Sequence, residues 1–164
     1  MKAFLKKHRF KIAISLLVII LIYVSFYMLW VHVPYAAKQN ELTKIREELC
    51  YENDYTYDDY FNEYHNDKTY YIIKVKKKKK SMYVVFNEKK KKIETYDGSF
   101  VKKSEVKTAF ENKYGVASTK TEIGYENGEI AYCLTYKGND TLIYAFYAID
   151  DGEFIKAYRL EPDA

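Results

Sequence analysis

Six acids crowd between residues 52 and 67: Glu52, Asp54, Asp58, Asp59, Glu63 and Asp67, interleaved with tyrosines, Phe61 and His65. Carboxylates spaced this closely beside an imidazole are the donor types that a hard cation takes. Calcium loops, however, set their oxygens at fixed offsets around a Gly that makes the sharp turn, and this segment has no Gly. A solvated acidic edge is the plainer reading, and neither a metal nor a cofactor is expected.

Two lysine runs are the next candidates, Lys76, Lys77, Lys78, Lys79 and Lys80, then Lys89, Lys90, Lys91 and Lys92. Each falls at an expected hairpin end. Successive hairpin ends lie at opposite ends of a sheet, so the runs are not expected to form one patch. Either could touch anionic headgroups or an anionic wall polymer, at about 1 kcal/mol per Lys near a charged surface. The alternative is solvated turns that keep sheet ends from aggregating.

Catalytic chemistry finds little to work with. His65 is the only histidine beyond residue 33, and there is no Gly-rich phosphate loop, no HExxH helix and no Gly-x-Ser-x-Gly elbow. Acyl transfer and hydrolysis need a positioned base near a nucleophile, and no such set is present. No catalytic residue is assigned, and the chain is expected not to be an enzyme. Cys50 and Cys133 could bridge in an oxidising compartment, but two buried apolar thiols are the simpler expectation. The 19 tyrosines fit two roles, sheet core and protein interface, and both stand.

The elements that must position these residues are legible from periodicity and turn chemistry. Leu42, Ile45 and Leu49 recur at helical spacing in the segment 35–49, which either continues the apolar helix before it as a stalk or begins the first domain unit. A second helix is expected from Ser104 to Tyr114, with Ser104 as N-cap, Val106, Ala109, Phe110 and Tyr114 on one face, and Gly115 as the left-handed stop. Asn127–Gly128, Gly138–Asn139 and Asp151–Gly152 are tight-turn dipeptides. They predict strands over 119–126, 129–136, 141–149 and 153–159 in an antiparallel meander.

Sliding the chain on itself by 61 residues superposes Tyr64 on Tyr125, Asn66 on Asn127, Tyr71 on Tyr132, Lys76 on Lys137 and Tyr83 on Tyr144. These identities read as an internal duplication. Each copy is then a helix followed by three or four antiparallel strands, an α+β class. How the two sheets pack is not readable from the pattern.

Ahead of the domain, Ile12 to Val31 contains no charged side chain. About 20 residues at 1.5 Å each span about 30 Å, the thickness of a hydrocarbon core. A secretory signal has a similar outline. This run is longer than a signal core of about 7–15 residues, and no Ala-x-Ala site follows it, so a retained anchor is expected. Lys2, Lys6, Lys7, Arg9 and Lys11 precede the span unopposed by acids, which places the N-terminus in the cytosol and the rest outside. Removing those five cations leaves 22 Lys and Arg against 23 acids, so the formal net charge of +4 is not a property of the outer domain. Nucleic-acid binding, which needs a basic footprint, is not expected. No small-molecule substrate is evident either.

With a basic start, one span and a charged stalk, the segments YYIIKVKKKKKSMYVVFNEKKKKIETY, SEVKTAFENKYGV and IAYCLTYKGNDTLIYAFYAIDDGEFIKAY resemble the YpmB/TseB-like proteins of Gram-positive bacteria. The resemblance implies two tandem PepSY-like (cystatin-like) units on a single-pass anchor. It divides the chain into a basic tail (1–11), a transmembrane helix (12–33), a stalk helix with the first unit (34–98) and a second unit (99–164). It further implies a regulator of cell-wall elongation at the cell membrane, partnered by a class B penicillin-binding protein. The PepSY-like fold by itself suggests an alternative, an inhibitor or chaperone of an extracytoplasmic peptidase.

Overall fold

The computed structural model describes residues 2–160, with side chains from Phe10 onward. It divides into two compact units, Met1–Ile45 and Arg46–Ala164.

The first unit is helical. Helix α1 (Lys2–Tyr27) passes through a π-helical turn (Met28–His32) into α2 (Val33–Asn53). The helical stretch Phe10–Asn53 contains an 18-residue window of mean hydropathy 2.7, none of it buried. Leu17, Ile19, Ile20 and Ile22 lie on different faces and all are exposed. A helix apolar on every side satisfies its backbone internally but has no aqueous environment in which its surface is stable. It is the one helix among the described residues long and apolar enough to cross a membrane.

Pro34 does not end this helix. Proline removes one N–H and its ring presses on the carbonyl four residues back, here that of Trp30. The wider turn beside it makes room, with the Val33 N–H reaching back five residues to the Met28 carbonyl. The segment 35–49 therefore continues the apolar helix, while its end, from Arg46 onward, belongs to the second unit, so both arrangements its spacing permits are present.

The second unit holds two four-stranded antiparallel meanders and one further helix. The first sheet is β1 (Thr56–His65), β2 (Thr69–Lys77), β3 (Lys80–Asn87) and β4 (Lys92–Tyr96), in that order. Helix α3 (Lys103–Tyr114) follows, then the second sheet, β5 (Lys120–Glu126), β6 (Glu129–Lys137), β7 (Leu142–Ala148) and β8 (Phe154–Leu160). The expected α+β class and the meander both appear. Asn127 and Gly128 take positive φ, 53° and 87°, the pair that a type I′ turn requires.

Gly115 stops α3 as expected, at φ 70°, ψ 10°, its N–H bonded to the Glu111 carbonyl. The N-cap is a correction. It is Lys102, with no side-chain bond, and Ser104 lies inside the first turn, where its carbonyl accepts from the Thr108 hydroxyl. The helix is held by packing rather than by a cap: Val106 and Phe110 are buried against the second sheet, at about 1.5–3 kcal/mol each.

The two sheets share one core. Ile72, Tyr83 and Val85 of the first pack with Ile123, Tyr132, Leu134 and Phe146 of the second, closed by Val106 and Phe110. The first sheet is also buried on its other face, since Tyr71, Ile73, Val75, Val84 and Phe86 have almost no exposure. The end of α2 is tied to this sheet. Lys90 Nζ bonds Glu48 at 2.6 Å, Lys77 Nζ donates to the Asn53 carbonyl at 3.2 Å, and the Arg46 guanidinium lies 4.7 Å from the Tyr57 ring centre.

Pairing registers repeat at an offset of 61. Tyr71 opposes Phe86 as Tyr132 opposes Tyr147, and Ile73 opposes Val84 as Leu134 opposes Ala145. A bulge follows Val85 in one sheet and Phe146 in the other.

Candidate functional site

The acidic segment does not converge on a point. β1 spreads its carboxylates along both faces, and each finds a local partner. Asp58 takes Lys76 Nζ at 2.5 Å and the Ser81 hydroxyl at 2.7 Å, Asp59 takes Lys74 at 3.5 Å, and Glu63 lies 3.4 Å from His65 Nε2. Among the described residues no three His, Cys, Asp or Glu side chains are grouped to hold a metal ion.

The lysine runs occupy opposite ends of the first sheet, at the β2–β3 and β3–β4 turns. Three of the nine charges are matched within the fold, since Lys76, Lys80 and Lys90 pair with Asp58, Asp97 and Glu48. Lys78 and Lys79 stand exposed at the first tip in left-handed conformation, φ 51° and 69°. In the second turn the Asn87 side chain accepts the N–H groups of Lys89 and Lys91 at 3.0 Å each. Of the residues used to orient the span, Lys11 is exposed, whereas the side chains of Lys2, Lys6, Lys7 and Arg9 lie outside the described ones.

Asp58 yields a pH prediction. Hydrogen bonds from Lys76 and Ser81 hold its carboxyl below the usual carboxylate range. A depressed pKa stabilises the fold above the unfolded value, about 4, and that contribution is lost as pH falls through the folded value. Asp58→Asn should therefore lower the melting temperature at pH 7, with the difference shrinking below about pH 4, as read by thermal denaturation in detergent across pH.

Both cysteines are free thiols. Cys133 is buried, and burial pushes its thiol up to about 12. Cys50 is only partly buried, so the expectation of two buried thiols holds for one of them.

The tyrosines divide between the two roles that the sequence left open. Tyr71, Tyr83, Tyr132 and Tyr147 are core, while Tyr51 and Tyr158 are exposed. Tyr60 and Tyr64 have a third task, joining the sheets. Strand β5 is an edge, and its outward backbone groups at Ile123 are met by side chains of β1. The Ile123 N–H donates to Tyr60 Oη at 2.7 Å, and Asn62 Nδ2 donates to the Ile123 carbonyl at 3.2 Å. Asn62 also reaches Glu122 at 3.1 Å, and Asn66 reaches Glu126 at 2.6 Å. The edge is covered at this point. Burial raises the Tyr60 phenol well above its ordinary range, so it stays neutral and able to donate or accept. Tyr60→Phe leaves a buried N–H without an acceptor and should cost about 1–3 kcal/mol. Denaturant unfolding and faster hydrogen exchange at Ile123 are the readouts.

Two further open surfaces among the described residues were not visible in the sequence. One is a cleft of about 500 Å³ between the end of the first sheet and the turns of the second, with Glu94, Glu129, Asp150 and Asp151 on its walls beside Tyr96. The other is the outer edge of β8, where Phe154, Ile155, Tyr158 and Leu160 are 41–57% exposed. The apolar content of 154–160 was readable, but strand order was not, and order is what makes it an edge.

The chain was compared with family models, curated proteins and solved structures, and none of them matches it.

Proposed function

We propose that this chain is a membrane-anchored, extracytoplasmic interaction protein that regulates bacterial cell-wall elongation through contact with a class B penicillin-binding protein. The observation that carries the reading is the apolar helix, exposed on all faces and continuous in sequence with a two-sheet domain. An anchor confines such a domain to the membrane plane, where membrane-bound synthetic enzymes work. The five unopposed cations before the span support an N-terminus in the cytosol. The repeated pairing register and the repeated bulge support two copies of one unit, in line with the YpmB/TseB-like resemblance and its PepSY-like repeats. Interaction rather than catalysis is the proposed activity.

Photocrosslinking of a tagged full chain in intact cells tests the reading. Enrichment of a class B penicillin-binding protein is expected. Capture of an extracytoplasmic peptidase with no penicillin-binding protein would replace it with the inhibitor or chaperone reading.

A further inference from the structure

The two edges of the second sheet are treated differently. Tyr60 and Asn62 cover the β5 edge, whereas β8 presents its outer backbone groups with exposed apolar side chains around them. An edge of this kind is a template for another strand. We propose that the occupant is β8 of a second copy, paired antiparallel about a two-fold axis at Tyr158 so that two four-stranded sheets become one of eight.

The register follows from the residues. In an antiparallel pair, opposed residues must both point their backbone groups outward or both inward, so a two-fold axis falls on a residue. The pairing of β8 with β7 is irregular at Ile155, which leaves Lys156–Leu160 as the regular segment. Centring on Lys156 or Arg159 would oppose like charges. Centring on Ala157 would set Arg159 and Leu160 against the irregular end. Centring on Tyr158 pairs all five residues: Lys156 with Leu160, Ala157 with Arg159, and Tyr158 with its own copy. No like charges meet, and a cross-strand aromatic pair forms at the centre. Tyr158 is 52% exposed and Leu160 57%, so both have surface to bury.

The anchor acts in the same direction, because it confines copies to one plane. An isologous contact is also the commonest form of self-association. The contact is independent of which enzyme the domain regulates.

Cysteine crosslinking tests it on the full chain in membranes, in a Cys50→Ser background. At the two-fold axis, opposed Cα atoms lie about 4.5–5.5 Å apart, within disulfide reach. Tyr158→Cys should give a covalent dimer on mild oxidation. Leu160→Cys should not, since four residues of offset place the two copies more than about 13 Å apart. Independently, the unmodified chain in lipid nanodiscs should be dimeric by mass photometry, and Tyr158→Arg, an exposed change, should weaken association at least tenfold. Equal crosslinking at 158 and 160, or a chain that stays monomeric, overturns the proposal. So does a crosslink from 158 to a different protein, which would give this edge to a partner's strand. A monomer that still captures a penicillin-binding protein would sink the dimer and leave the proposed function standing. A dimer that captures none would do the reverse.

Discussion

Gly124→Val should lower the melting temperature of the domain by about 5 °C, although the same substitution in an ordinary strand would raise it. Gly124 lies on β5 where the ring of Tyr64 crosses the strand. A Cβ placed there would sit 2.7 Å from Tyr64 Cζ and 2.8 Å from Cε2. A freely rotating ring would step aside, but Tyr64 is buried in the core that joins the two sheets. Overpacking at such a site costs about 1–3 kcal/mol, and each kcal/mol is worth about 4 °C in a domain of this size. Against that stands β-propensity, which favours Val over Gly by up to about 1 kcal/mol. The sign of the effect therefore decides whether the sheets meet as described. Tyr64→Ala combined with Gly124→Val should be less damaging than the two changes summed, because the clash disappears with the ring. Thermal unfolding of the four chains in detergent gives the cycle. Additive losses, or a stabilised Gly124→Val, would show that β5 does not rest on β1 at this point.

Local structure was legible in this chain wherever a residue type had only one conformational use. Asn127–Gly128 announced a type I′ turn and made one, and Gly115 announced a left-handed stop and made one. Ser104 misled because a serine near a helix start is the usual cap, yet here packing of Val106 and Phe110 holds the helix and Lys102 takes the cap position without a side-chain bond. The β2–β3 turn was located by its lysines, but its type was hidden, since Lys78 and Lys79 adopt a conformation that lysine rarely signals. The joint between the sheets was not legible. Tyr60, Asn62 and Tyr64 look like any polar and aromatic alternation, and their role depends on a strand about 60 residues away. The acidic cleft is hidden for the same reason: its four acidic residues come from both sheets and line one cleft only when these pack.

The largest expected effect lies in the apolar helix. Thirteen Leu, Ile, Val and Phe residues between Ile12 and Val31 contribute a membrane-insertion free energy on the order of −5 kcal/mol, at about −0.3 to −0.6 each near the centre. An Arg at the centre costs about 2.5–3.5 kcal/mol. Leu21→Arg with Ile22→Arg adds about 5–7 kcal/mol, enough to cancel the driving force and shift insertion by about four orders of magnitude. The readout is a label on the domain. Lys79→Cys, at the exposed β2–β3 tip, in a Cys50→Ser background, should react with a membrane-impermeant maleimide in intact cells when the span is unaltered, and the protein should stay with the membrane. With the two arginines it should react only after lysis and fractionate away from the membrane. Labelling only after lysis with the unaltered span would reverse the proposed orientation. A labelled domain found in the medium would identify the helix as a cleaved signal. An anchor facing outward is the only one of these outcomes that leaves a wall-synthesis partner within reach.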